Sequence, residues 1–166
     1  MSISKALQSL EGLATGDAFG AAHGEFSRAE MSTALPPPPW RWPDDTHMAT
    51  SIVEILSEHG QIEQDALATR FGERFVREPF RGYAFQATLV LGRIASGGDW
   101  REAAVMNFPE GSYGNGAAMR AAPIGAFFAG HPDRAANQAE LSAVITDGHP
   151  EGVLSELRAR YVILSS

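Results

Sequence analysis

Apolar residues recur every three to four positions along almost the whole chain, and no stretch alternates apolar with polar residues between hairpin turns. Side chains three and four apart share one face of a helix, so this period admits amphipathic helices and leaves no half-buried sheet to build. Ile3, Leu7, Leu10 and Ala14 predict one face of a first helix, stopped at Gly16-Asp17. The consecutive prolines Pro36 to Pro39 cannot enter a helix, so the segment from Leu35 to Trp40 is expected to be extended. A second helix should start near Asp44-Asp45-Thr46, bury Met48, Ile52, Val53, Ile55 and Leu56, and stop at Gly60. Leu67, Phe71 and Phe75 mark a third helix, ended by Pro79, and Phe85, Thr88, Leu89 and Gly92 a fourth, ended by Gly97-Gly98. Asp99 and Glu102 have the spacing of a capping box for a short fifth. Further periodic stretches run over 134–145 and, after Pro150, over 151–164. The expectation is one all-α domain over residues 1–166, without internal repeats.

With 166 residues, 44% of them apolar and 20% charged, the chain can build a core of its own. A formal net charge of -7, with the 13 basic residues scattered in sequence, argues against nucleic acid or an anionic membrane as partner. There is no cysteine, which excludes disulfides, thiolate catalysis and zinc–thiolate sites and suits a reducing compartment. The N-terminus has a single early cation, Lys5, and Gln8 and Glu11 interrupt any apolar run, unlike a signal peptide. No stretch approaches the roughly 18 apolar residues of a membrane span. A soluble cytoplasmic protein is expected.

Two segments have compositions odd for mere scaffolding. In Pro43-Asp44-Asp45-Thr46-His47-Met48-Ala49, two adjacent carboxylates repel each other at one point. A helix N-terminus favours negative charge there, and a hard cation such as Mg²⁺ would take the same oxygens; capping and metal binding both fit. In Gly111-Ser112-Tyr113-Gly114-Asn115-Gly116, glycines leave backbone N–H groups open at the mouth of a helix. That suits a pyrophosphate, with Tyr113 free to stack on a ring, and it also suits an ordinary capped loop.

These segments, with Gly16-Asp17-Ala18-Phe19-Gly20 before them and Ala117-Ala118-Met119-Arg120 after, resemble the ADP-ribosylglycohydrolases in order and approximate spacing, from about residue 5 to residue 153. Arg81-Gly82-Tyr83 is similar to a segment of the branch that cleaves ADP-ribose from serine. The resemblance implies an all-α orthogonal helix bundle with two Mg²⁺ ions in a central cleft. It implies metal ligands at Asp44 and Asp45, with Asp45 also catalytic, and an ADP-ribose site at Gly111, Ser112, Tyr113, Gly114 and Asn115. Glu25, in His23-Gly24-Glu25-Phe26, falls close to the family's loop carboxylate near the scissile bond, so a catalytic role is implied there too.

The chain departs from the family pattern in three places. Pro43 stands where the family usually has Thr or Ser, whose hydroxyl also ligates metal. The family's later Thr-His appears here as Thr146-Asp147-Gly148-His149-Pro150, in which His149 reads as structural. The Gly-Asp-x-Asp-Thr motif that completes the metal site is absent, and the residues from Leu154 onward read as a truncated, frameshifted or divergent ending, which the gene's downstream DNA would test. Three functions follow: a magnesium-dependent hydrolase acting on ADP-ribosylated protein, an inactive remnant that binds ADP-ribose, or a structural protein. Apolar faces around Phe127 and Phe128 would be left uncovered and would drive a homo-oligomer under each.

Overall fold

Helix α2 (Asp44–His59) lies at the centre of the molecule, and its sequence explains why. Met48, Ala49, Ile52, Val53, Ile55 and Leu56 are all buried, an apolar surface too wide for a helix with one solvent face. Its end is set by Gly60, at φ +70°, whose N–H donates to the Leu56 carbonyl at 3.0 Å. The computed structural model describes residues 1–23, 37–107, 109–110, 112 and 114–147. Around α2 it places α1 (Ile3–His23), α3 (Gln64–Arg77), α4 (Phe85–Ala95), α5 (Trp100–Val105), α6 (Gly116–Met119), α7 (Ala122–Phe127) and α8 (Pro132–Ala143). Helices α1, α3, α6 and α7 pack on α2; α4 packs on α3 and α5 on α4, while α8 closes against α7, α6 and α3. The described residues form no strand, and the all-α expectation holds. None of the described helices is long and apolar enough to cross a membrane.

Polar contacts fix the helix order where apolar packing alone would allow sliding. Gln138 of α8 accepts from the Ile62 amide, and Gln64 donates to the Leu141 carbonyl at 3.0 Å, so α8 clamps the α2–α3 connection. Arg70 and Arg74 of α3 reach Glu54 of α2 at 2.7 and 2.5 Å, and Arg70 also reaches Glu58. Burial pushes the Glu54 carboxyl up, but the bonds from Arg74 and Arg70 outweigh it and hold it below the usual carboxylate range. Gly72 lets α3 and α4 approach: a Cβ there would lie 3.1 Å from the Ala95 nitrogen.

Several expectations need correction. Helix α1 does not stop at Gly16-Asp17 but runs on to His23. The glycine costs the helix about 1 kcal/mol relative to alanine, too little to end it when neighbours pack well. Ile3 and Leu7 are exposed, and α1 buries Ala6 and Ala18 instead. In α4 the buried residues are Val90, Leu91 and Ile94, while Phe85 stays exposed. Asp99 does cap α5, accepting from the Arg101 amide at 2.8 Å, one residue nearer than a capping box requires. Phe127 and Phe128 are not an uncovered face. They pack edge to face at 4.8 Å in the core, and Arg134 covers Phe128. The helix expected over 151–164 and His149 lie outside the described residues.

Phe128→Ala is expected to lower stability by about 3–5 kcal/mol, as for a large aromatic removed from a packed core. A denaturant melt checks this. An unchanged midpoint, with loss only of self-association, would restore the surface reading.

Candidate active site

The N-terminal turn of α2 carries Asp44 and Asp45 behind Pro43, which has no side-chain cap to offer, and each aspartate carboxylate bonds to its own backbone N–H. The cap comes from another helix. Because α1 continues past Gly16, Asp17 projects sideways from it, and its Oδ2 accepts from the Thr46 backbone N–H at 3.0 Å and from the Thr46 hydroxyl at 2.6 Å. Three carboxylates thereby meet at one helix start. Burial raises the Asp45 pKa to about 6, with further contributions from the charges of Asp17 and Asp44. Burial raises Asp44 as well, against the lowering effect of its own backbone amide and with a further push from Asp17. The local charge is under-compensated, which is the condition a hard cation relieves.

The segment Arg81-Gly82-Tyr83 braces this turn from the far side. Arg81 donates to the Trp42 carbonyl at 3.0 Å and its guanidinium lies 4.0 Å from the centre of the Trp42 ring. Gly82 adopts φ +86°, and a Cβ there would lie 3.4 Å from Pro43 and 3.8 Å from Asp44 Oδ1. The Tyr83 hydroxyl and His47 Nδ1 are 2.6 Å apart. Burial pushes the Tyr83 hydroxyl up, so it stays protonated. Burial also lowers His47 to about 4, with Arg74 next in weight, so the imidazole is neutral at pH 7.

Opposite the carboxylates lies the glycine loop. A narrow cavity of about 70 Å³ is lined by Asp44, Ser112, Gly114, Asn115, Gly116 and Asp147, among others. Ser112 is buried and its Oγ accepts from the Gly114 amide at 3.0 Å, which fixes the turn. Asp147 is buried against the two glycines: a Cβ on Gly114 or Gly116 would lie 2.7 or 2.6 Å from its carboxylate oxygens. Arg120 sits fully buried behind it, donating to the Thr146 hydroxyl and the Ser142 carbonyl, both at 2.8 Å, and Thr146 donates in turn to Asp147 at 2.7 Å. Gln86 also lines the cavity; its Oε1 accepts from Asn107, and its Nε2 is buried without a partner among the described residues.

Of the residues expected from sequence, Asp44, Ser112, Gly114 and Asn115 come together on this cavity, and Asp45 lies beside them on the turn. Glu25, Gly111 and Tyr113 lie outside the described residues. Asp17 and Asp147 were not anticipated as site groups. The signal for Asp17 was its place in Gly16-Asp17; for Asp147 it was Arg120, a charge inside an Ala-rich run that needs a buried anion nearby. Among the described residues, no three His, Asp or Glu side chains form a complete metal-chelating group.

Two titrations oppose each other here. Asp45 is raised to about 6 in the fold, so its contribution to stability falls as pH rises from about 4 through 6. His47 is lowered to about 4, so its contribution grows over nearly the same range. Asp45→Asn should therefore melt higher than the parent at pH 7.5 without divalent cations, by about 1 kcal/mol after allowing for solvent screening of a half-exposed group. A lower melting point at that pH would contradict the repulsion described here. Asp17→Asn should lower the Asp45 pKa, as read by NMR titration of its carboxyl carbon.

Comparison with known proteins identifies the family. The ADP-ribosylglycohydrolase family profile matches residues 2–163. ADP-ribosylhydrolase ARH3 of Xenopus tropicalis is 34% identical over 128 residues, covering 72% of this chain and 36% of that protein. The Mus musculus protein of the same name is 31% identical over 164 residues, covering 87% and 44%. The Gallus gallus protein is 35% identical over 112 residues, covering 66% and 30%. The chain thus spans less than half the length of these relatives. With carboxylate turn and glycine loop both inside the matched region, the chain belongs to the ADP-ribosylglycohydrolase family.

Proposed function

We propose that this chain carries the N-terminal half-site of a magnesium-dependent hydrolase that cleaves the glycosidic bond between ADP-ribose and a modified protein side chain. The observation behind this reading is the meeting of Asp44 with Ser112, Gly114 and Asn115 on one cavity. Asp44 and Asp45 would hold the cation through carboxylate oxygens, with the Pro43 carbonyl as a further donor, and water or ribose hydroxyls would complete the shell. Bound Mg²⁺ would supply polarisation of ribose oxygens and a bound water of lowered pKa.

The chain's own residues do the rest. Gly114 and Gly116 make room for the Asp147 carboxylate against the loop, and Ser112 and Asn115 line the cavity that the ADP-ribose moiety would enter, with Gly111 and Tyr113 as further binding residues in this reading. The Gln86 amide offers a donor that a ligand oxygen would satisfy. Arg120, through Thr146, holds Asp147 against the loop and keeps its shape. Loss of the glycosidic bond builds oxocarbenium character at the anomeric carbon, which nearby carboxylates stabilise. Asp45, titrating near 6, can accept a proton at neutral pH, and Glu25 is the second proton carrier in this reading.

A second reading, binding of ADP-ribose without turnover, is favoured by the absence of a complete chelating group among the described residues. A homo-oligomer belongs to either reading, now through exposed Leu7 and Phe19 on α1 rather than through Phe127 and Phe128. We place the protein in the cytoplasm, which its lack of cysteine suits.

Calorimetric titration with ADP-ribose, with and without Mg²⁺, followed by a hydrolysis assay on ADP-ribosylated protein, separates the readings. The hydrolase predicts Mg²⁺-dependent binding and release of ADP-ribose that EDTA stops, with Asp44→Ala reducing turnover at least 100-fold. Binding with no turnover selects the second reading, and no binding in either condition rejects both.

A further inference from the structure

On the far side of Pro43 from the cavity, the surface opens into a groove of about 650 Å³, lined by Arg41, Trp42, Arg77, Pro79, Phe80 and Arg81 among others. Its charge is opposite to that of the chain, which carries a formal net charge of -7. Arg81 is committed: it pairs with Glu78, donates to the Trp42 carbonyl and stacks on the Trp42 ring. Arg41 and Arg77, both exposed, have no hydrogen-bond or ion-pair partner among the described residues. Glu78, the one acidic residue lining the groove among the described residues, is already neutralised by Arg81. Phe80 stands 98% exposed on the same wall, an apolar ring held in water beside two free guanidiniums. Arg77 also faces the neighbouring cleft of Glu54, Arg70, Glu73 and Arg74, where Glu54 is taken up by Arg70 and Arg74. Apart from Arg77, that cleft holds as many carboxylates as guanidiniums, so the uncompensated positive charge belongs to the groove itself.

We propose that this groove docks an acidic polypeptide segment, carboxylate side chains meeting Arg41 and Arg77 and an apolar side chain covering Phe80. An extended peptide fits better than a small anion because the groove offers, besides two unpaired guanidiniums, the apolar surface of Trp42, Pro79 and the exposed Phe80, which a small anion would leave uncovered. The groove and the candidate cavity meet at one turn, Pro43 and Gly82 lining the groove and the adjacent Asp44 the cavity. A protein held here presents its neighbouring residues to that turn, and the arginines offset the repulsion its acidic side chains would meet from Asp17, Asp44 and Asp45. The biological meaning, recognition of acidic sequence around a modified residue, rests on the hydrolase reading; the docking itself does not.

The test is fluorescence anisotropy with a labelled ten-residue peptide rich in Asp and Glu and containing one Phe. The parent protein should bind it, the affinity should fall with NaCl, and a peptide with Asn and Gln in place of the acids should not bind. Arg41→Ser with Arg77→Ser should weaken binding at least tenfold, while Lys5→Ser with Arg93→Ser, the same charge change elsewhere on the surface, should leave it within twofold. Equal binding by the groove variant, or equal loss in the control, overturns the proposal. So does displacement by inorganic phosphate beyond that caused by NaCl of matched ionic strength, which would mark a small-anion site. Hydrolysis separates this from the activity. The groove variant should raise KM for an acidic ADP-ribosylated protein and leave kcat/KM for a free ADP-ribosyl amino acid unchanged. If the parent cleaves neither substrate, the hydrolase reading fails and the anisotropy result still decides the groove.

Discussion

The Asp17 carboxylate holds the site together. By accepting from both the amide and the hydroxyl of Thr46, it ties the side of α1 to the first turn of α2 and satisfies donors that the helix start would otherwise leave to water. Pro43 cannot cap with a side chain, and the carboxylates of Asp44 and Asp45 bond to their own backbone N–H groups. Supplying the Thr46 cap from α1 adds a third negative charge beside them. Burial raises the pKa values of Asp44 and Asp45, and the Asp17 charge adds to it.

The opposite wall depends on a buried cation. Arg120 lies with its guanidinium among Met48, Ser142 and Thr146 and over the ring of Phe71, in the centre of the core. Burying a charge is costly unless hydrogen bonds and an opposite charge compensate it. Here the compensation passes through the Thr146 hydroxyl to Asp147, whose carboxylate in turn presses on Gly114 and Gly116. Core packing, charge and loop shape are one coupled unit, so alanine in the glycine loop and methionine at Arg120 would disturb the same geometry from opposite ends.

How much of this was legible in the sequence depends on the range of the interaction. Helix α2 was readable from end to end because its start, stripe and stop are local: a proline and two aspartates, apolar residues at helical spacing, then Gly60 in the left-handed region. The end of α1 was misread because Gly16 looks the same in a helix as after one, and only packing decides. The α4 stripe was misplaced because Phe85 is large and apolar yet exposed, while Val90, Leu91 and Ile94 fill the core. Phe127 and Phe128 were read as surface on the assumption that a short chain leaves them bare, and α1, α2 and α8 close around α7 instead. The family motifs located Asp44, Ser112, Gly114 and Asn115, but the roles of Asp17 and Asp147 come from contacts between residues far apart in sequence, from α1 to α2 in one case and from the glycine loop past α6, α7 and α8 in the other.

The arginines make the same point about charge. Along the sequence the basic residues look dispersed, yet Arg70, Arg74 and Arg77 fall three or four positions apart on α3, and Arg81 follows in the segment just beyond its end. Pairing with Glu54, Glu58 and Glu78 absorbs most of that charge, which is why composition gave no hint of a positive face. What is left over, Arg41 and Arg77, lies on one side of Pro43, while the unneutralised carboxylates lie on the other. Arg81-Gly82-Tyr83 separates the two, its arginine facing the groove and its tyrosine bonded to His47 beneath the carboxylate turn. A positive φ at Gly82 lets the chain make that close passage against Pro43, where a larger residue would meet both strain and contact. One short segment thus separates a carboxylate-rich turn from an arginine-lined groove, and it fixes the distance between them by packing rather than by a flexible link.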